Sequence, residues 1–236
     1  MIKALCFSLY GTLIDIRTDE HDPYVYSVLS NYLAYHSVRI PPEKLQEEYF
    51  GLIEEHFEQS EEEHPEIDIQ TVFHDIMHRY SNGKSYDESA VTATALLFRS
   101  LTIRHCDLFP SLTDTLSHLQ KNFRMAIISD AQWVFAEPEM EMLGLTRFFE
   151  FSIFSSRFGF KKNDTRLFNS TIENLELKPE EIIYIGNIKQ KDLKCAKAAG
   201  MKCILFRTEC PEYGDYVADG CFFDYSVLEN IINAIT

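Results

Sequence analysis

At 236 residues with 45% hydrophobic content, the chain is long enough to bury a full core, and its length fits one large domain or a domain carrying an insertion. A formal charge of -15 argues against nucleic acid and anionic membranes as partners, because binding either rests on clustered Lys and Arg. No stretch reaches the roughly 18 apolar residues of a membrane span, and Met1-Ile2-Lys3 runs straight into a short apolar segment rather than a signal peptide, so a cytoplasmic location is expected.

The run Ile2-Lys3-Ala4-Leu5-Cys6-Phe7-Ser8-Leu9 ends at Tyr10-Gly11-Thr12, which predicts a buried strand delivering a loop at its carboxyl end. From about Tyr24 to Leu101 apolar residues follow helical spacing, as in Leu45, Tyr49, Leu52, Ile53 and Phe57, then Val72, Phe73, Ile76, Met77 and Tyr80. A further helix is predicted over Val91 to Leu101, and no strand is read in this stretch, which is expected to be an all-helical insertion. The acidic run Glu54 to Glu66 reads as a solvated helix end and loop. From Phe109 onward the pattern alternates: helix Leu112 to Gln120, strand Met125 to Ile128, helix near Glu137 to Leu143, strand Phe151 to Phe154. It continues with helix Thr165 to Leu175, strand Ile182 to Ile185, helix Asp192 to Ala199 and strand Lys202 to Phe206. Such alternation, with helices ending at Gly144 and Gly200, predicts an α/β fold with a Rossmann-like parallel sheet flanked by helices, whose site lies beyond the carboxyl ends of the strands.

Those strand ends carry a series of spaced motifs. They are Phe7-Ser8-Leu9-Tyr10-Gly11-Thr12-Leu13-Ile14-Asp15, Ile127-Ile128-Ser129-Asp130, Gly159 to Phe168 around Lys162, and Ile185-Gly186-Asn187 with Asp192 five residues on. In this order, with Phe109-Pro110 before the second and Ala198-Ala199-Gly200-Met201 after the fourth, the chain resembles the haloacid dehalogenase (HAD) superfamily of hydrolases over its whole length. The resemblance implies a HAD core formed by residues 1–15 and 106–236, with a helical cap, 16–105, inserted between the first two motifs. Register selects Lys162 over Lys161, because Gly159 and Asp164-x-Arg166-x-Phe168 then match the family's G-x-x-K-P-D-P-R-x-F. Asn163 and Thr165 replace the two prolines, which predicts a looser loop.

Three further positions, in the first and fourth motifs, depart from the phosphatase pattern of the family. Its first motif reads D-x-D-G-T or, in dehalogenase-like members, D-x-Y-G-T, and the first Asp attacks phosphorus or carbon; here that position is Ser8. Tyr10 stands where phosphatases place the Asp that acts as general acid and base, and Asn187 stands where the fourth motif gives a carboxylate to Mg2+, leaving Asp192 as the retained metal-site acid. A carboxylate attacks without a base, whereas a serine hydroxyl is a weak nucleophile until a neighbour takes its proton, and no His falls in these loops. Mg2+ prefers charged oxygen ligands, so neutral Ser8 and Asn187 predict weak or absent metal binding. In an unrelated hydrolase, loss of the nucleophile costs on the order of 10^6 in rate.

By resemblance the anion-binding half is retained. Ser129 is expected to donate a hydroxyl to the ligand, Lys162 to neutralise it, and Gly11, Thr12 and Asp130 to complete the cradle with loop amides. Asp192 has a second reading, capping the following helix and holding Lys162. The function this implies is a HAD hydrolase-like protein, impaired or inactive in catalysis, keeping a small-anion or phosphate pocket for a binding or regulatory role. The alternative is an active phosphatase-like or haloacid dehalogenase-like hydrolase acting on a small phosphorylated or carboxylated metabolite. Tyr10 fits the dehalogenase branch, whose members need no metal and carry Asn in the fourth motif. They still need the missing Asp, however, and their Asn and following Asp lie closer together than Asn187 and Asp192.

Tyr24, Tyr26 and Tyr32 are open to two readings, facing the site or packing the helices, and a protein partner stays open. His74-Asp75-Ile76-Met77-His78 has the i, i+4 spacing of a zinc motif, but both histidines fall on the polar side of a helix and no third ligand is apparent. The cysteines (Cys6, Cys106, Cys195, Cys203, Cys210, Cys221) are scattered without a C-x-x-C pair and are expected to be reduced.

Overall fold

The computed structural model describes residues 1–209 and 211–235. Strand β1 (Ala4–Phe7) is buried at every position, as a strand covered on both faces must be. β2 (Ile14–Thr18) follows, and four helices come next: α1 (Pro23–Tyr35), α2 (Pro42–Gln59), α3 (Ile69–Arg79) and α4 (Glu88–Thr102). β3 (Ile103–Leu108) then returns antiparallel to β2, with Ile14 opposite Leu108. The chain next alternates through α5 (Leu112–Leu119), β4 (Arg124–Ser129), α6 (Trp133–Met142), β5 (Phe151–Phe154), α7 (Arg166–Leu175), β6 (Ile182–Gly186), α8 (Lys194–Ala198) and β7 (Lys202–Phe206). It closes with the short hairpin β8 (Glu212–Tyr213) and β9 (Tyr216–Val217), strand β10 (Gly220–Phe222) and α9 (Leu228–Ile235).

The expected parallel sheet is present, six strands in the order β10-β7-β6-β1-β4-β5. Its two faces are written in the alternation of each strand. Leu5, Phe7, Met125, Ile127, Ile183 and Ile185 enter one apolar cluster with α5 and α9, while Ala4, Cys6, Ala126, Ile128, Ile182 and Tyr184 enter another with α7 and α8. A third cluster gathers the inner faces of α1 to α4, including Leu45, Tyr49, Leu52, Val72, Phe73 and Phe98, and adds Val134 and Phe135 from α6. Tyr26 packs inside this cluster, Tyr32 lies against it and Tyr24 is exposed. No helix among the described residues is long and apolar enough to cross a membrane.

Several sequence expectations need correcting. β2 and β3 were not read as strands, and their ribbon straddles both expected boundaries, 15/16 and 105/106. Helix α6 begins at Trp133, a turn before the predicted start, because its first turn is buried against the four-helix segment through Val134 and Phe135. The predicted helix from Asp192 is a π-helical turn, Lys189–Leu193, followed by the short α8. The end of the acidic run is not solvated. Glu66 N–H donates to the Gly159 carbonyl, Lys161 N–H to the His64 carbonyl, and Pro65 bridges antiparallel to Phe160. Cys6, Cys106, Cys195, Cys203 and Cys221 are free, and Cys210 lies outside the described residues.

Candidate functional site

Four loops converge at the carboxyl edge of the sheet, where an open parallel sheet places its ligands. β1 delivers Ser8, β4 delivers Ser129 and Asp130, β6 delivers Asn187, and the loop after β5 brings Lys162. Lys162 is the centre. Its Nζ donates to Ser8 Oγ at 2.8 Å, lies 2.7 Å from Asp192 Oδ1 and reaches Tyr184 Oη at 3.3 Å. An ammonium has three N–H donors, so these contacts use all of them. Lys161, the neighbour set aside by register, instead lays its ammonium over the Phe57 ring at 4.9 Å.

Asp192 is as fully engaged as its partner. Besides Lys162, its carboxylate takes the Tyr184 hydroxyl at 3.0 Å and the N–H groups of Asn187 and Ile188, both at 2.8 Å. It therefore reaches back to the loop before the π-helical turn rather than capping α8. Gly186 makes this possible, since a Cβ there would run into the Asp192 carboxylate. Burial, reinforced by the Asp192 charge, holds the Tyr184 hydroxyl well above its ordinary pKa and hence protonated.

The second loop is tied to the third and fourth. Asp130 Oδ1 accepts the Lys162 backbone N–H at 2.6 Å, and its Oδ2 lies 2.8 Å from Lys191 Nζ. Ser129 Oγ, expected to donate to a ligand, accepts the Leu9 N–H at 3.3 Å. Two of the expected cradle amides are likewise occupied within the loop, Gly11 N–H on the Ile14 carbonyl and Thr12 N–H on the Leu9 carbonyl. Gly11 takes φ +75°, and the Asn187 amide packs where a Cβ would stand, so any other residue there would be strained and would have to displace that amide. Asn187 Oδ1 accepts from the buried Thr12 hydroxyl at 3.3 Å.

Tyr10 goes elsewhere. Its hydroxyl donates to Glu139 Oε2 at 2.6 Å, and Glu139 pairs with Arg99 of α4 at 2.6 Å. Burial pushes the Tyr10 hydroxyl well above its ordinary value, although the Arg99 charge pulls the other way, so it serves here as a hydrogen-bond donor. His74 and His78 stay exposed on α3, with His74 against Asp75 at 3.3 Å.

Sequence reasoning missed Tyr184, Lys191, Glu139, Arg99 and Glu66. Tyr184 left one signal, a polar group on the inner face of an otherwise aliphatic strand. Glu66 left none, although its Oε2 accepts from Ser155 Oγ at 2.8 Å and that Oγ accepts the Ala131 N–H, which links the four-helix segment to the second loop.

The profile of the family described as haloacid dehalogenase-like hydrolase matches residues 7–206. The glyceraldehyde 3-phosphate phosphatase of Methanothermobacter thermautotrophicus is 30% identical over 124 residues, which cover 52% of this chain and 55% of that protein. Phosphoglycolate phosphatase 1 of Pseudomonas aeruginosa is 27% identical over 120 residues, 50% of this chain and 44% of that protein. The chain thus spans about half the length of the curated relatives it matches. Among solved structures, a 2-haloacid dehalogenase from Pseudomonas syringae pv. Tomato DC3000 superposes with TM-score 0.69 at 20% identity over 100% of both chains. A HAD phosphatase from Thermococcus onnurineus does so with TM-score 0.59 at 18% identity over 98% of both. At such identities the likeness speaks to the fold.

Proposed function

Because the chain belongs to the haloacid dehalogenase-like hydrolase family, we propose that it is a phosphatase-like member that holds a small phosphorylated metabolite and hydrolyses it far more slowly than a member with aspartate at position 8. One observation carries this reading: Ser8 Oγ accepts a hydrogen bond from Lys162 Nζ inside a buried network that offers no base. Lys162 Nζ points a donor at the serine oxygen and is engaged by Asp192 at 2.7 Å and by Tyr184, so this contact supplies Ser8 with a donor rather than an acceptor for its proton. Asp192 itself already takes four donors. A hydroxyl in this setting stays a hydroxyl.

The same donor set fits Mg2+ poorly. Ser8 and Asn187 are neutral, the Asn187 amide oxygen is turned to Thr12, and the Asp192 carboxylate is spent on Lys162, Tyr184 and two amides. A hard cation that demands near-octahedral charged oxygens would have to break these contacts. The names of the relatives, glyceraldehyde 3-phosphate phosphatase and phosphoglycolate phosphatase, support a phosphorylated ligand of metabolite size. They also favour a second reading, a working phosphatase with a serine at position 8.

Wild type and the double variant Ser8→Asp/Asn187→Asp, assayed with p-nitrophenyl phosphate and Mg2+, separate the two. The expected outcome is turnover near background for wild type and a gain in the double variant. A wild-type kcat of about 1 s−1 or more, the ordinary enzyme range, would establish the second reading.

A further inference from the structure

Lys162 and Lys191 both meet the carboxylate of Asp130, one through its backbone N–H and the other through its ammonium, yet they differ in what they have left to offer. The Lys162 side chain is 3% exposed and all its N–H donors point at Ser8, Asp192 and Tyr184. The Lys191 ammonium has one partner among the described residues, Asp130 Oδ2 at 2.8 Å, and its side chain is 29% exposed. Two of its three donors therefore remain for a ligand.

The π-helical turn Lys189–Leu193 sets Lys191 and Asp192 side by side, and they form crossed ion pairs, Lys191 to Asp130 and Asp192 to Lys162. These pairs bind the second, third and fourth loops to one another. That is the service a divalent cation would otherwise perform among carboxylates, and with Ser8 and Asn187 neutral there are too few carboxylates to hold one.

We propose that Lys191 takes the place of the metal ion: it is the cation that faces the ligand, and it contacts a tetrahedral oxyanion such as a phosphoryl group directly, without Mg2+. This rests on the reading that the site holds a phosphorylated ligand. A lysine suits the task, since its ammonium is a compact point charge with rotatable donors, and charge-assisted bonds to phosphate are strong. Lys162, expected from the sequence to neutralise the anion, is by this account the anchor that holds the loops in place.

Two titrations test the proposal. In the first, inorganic phosphate is titrated in EDTA into wild type, Lys191→Met, Lys191→Arg and the exposed control Lys194→Met. Binding by wild type is expected to weaken by about tenfold or more in Lys191→Met, the worth of one charged hydrogen bond, to recover largely in Lys191→Arg and to hold in Lys194→Met. Phosphate binding indifferent to Lys191→Met overturns the proposal. In the second, Mg2+ is titrated without phosphate into Ser8→Asp/Asn187→Asp with and without Lys191→Met. Removing the lysine is expected to tighten Mg2+ by about tenfold or more, since a like charge at about 4 Å costs on that order at the effective dielectric of a partly exposed site. Equal Mg2+ affinity in the two overturns the proposal. Wild type that binds no phosphate with or without Mg2+ overturns the phosphorylated-ligand reading instead, and the second titration still decides whether Lys191 stands where the cation would.

Discussion

Ser8 and Tyr10 sit two residues apart in one loop, yet they anchor two networks of different reach. Ser8 joins Lys162, Tyr184 and Asp192, all essentially buried, and that network closes the sheet's own loops on one another. Tyr10 joins Glu139 of α6 and Arg99 of α4, and so fastens the same loop to the four-helix segment. The Lys162–Asp192 pair is 3% and 0% exposed and the Arg99–Glu139 pair 11% and 7%, so the first depends more heavily on being complete. The contrast teaches that two side chains of one loop can fasten it in two directions, Ser8 to the neighbouring loops of the sheet and Tyr10 to the four-helix segment.

The largest effect is expected from Lys162→Met, which leaves the buried Asp192 carboxylate without its cation. A loss of about 3–5 kcal/mol follows, or roughly 6–20 °C in Tm by calorimetry. Active sites commonly trade stability for function, so the opposite result, an unchanged or raised Tm, would break the comparison by marking the network as functional strain. Arg99→Met is expected to cost less, about 2–3 kcal/mol, because its pair keeps some solvent access. It should also loosen the four-helix segment selectively, read as faster hydrogen exchange in α4 and the start of α6 than in β1 and β4. Uniform acceleration would erase the distinction between the two networks.

The smallest effect concerns Glu66, where the four-helix segment meets the second loop. Burial pushes its carboxyl above the ordinary value, while the Ser155 hydrogen bond and the Lys161 charge pull it back. A carboxyl raised on folding contributes stability that is complete below its unfolded pKa of about 4.3 and is lost as pH rises through the folded value. Glu66→Gln, neutral throughout, is therefore expected to gain Tm relative to wild type between about pH 4 and pH 7. A difference that stays constant over that window would show that Glu66 is not held in a desolvated setting. Trp133, the one tryptophan of the chain, donates to Asp68 beside this contact at 2.9 Å, so its fluorescence reports whether the segment stays docked.

Much of the fold was legible because apolar strands such as Ile182 to Ile185 bury both faces and need no partner to be recognised. The β2–β3 ribbon was not. Its residues Asp15, Arg17, His105 and Asp107 look like loop, and its pairing spans about 90 positions, as in Ile14 with Leu108. Lys162 was singled out by spacing, and the structure buries it against Ser8. Glu139 was not, since an acidic residue in the stretch Glu137 to Glu141 reads as solvated until Arg99 arrives from α4.

By itself, then, the sequence determined the kind of sheet, the order of its loops and which chemical groups stand at their tips, because these follow from local hydrophobic pattern and residue identity. Only the tertiary structure decided which of those groups still have a hydrogen bond to give. Lys162 and Lys191 are the same residue type, and the difference between an anchor and an open cation depends on how many acceptors the other loops bring within 3.3 Å.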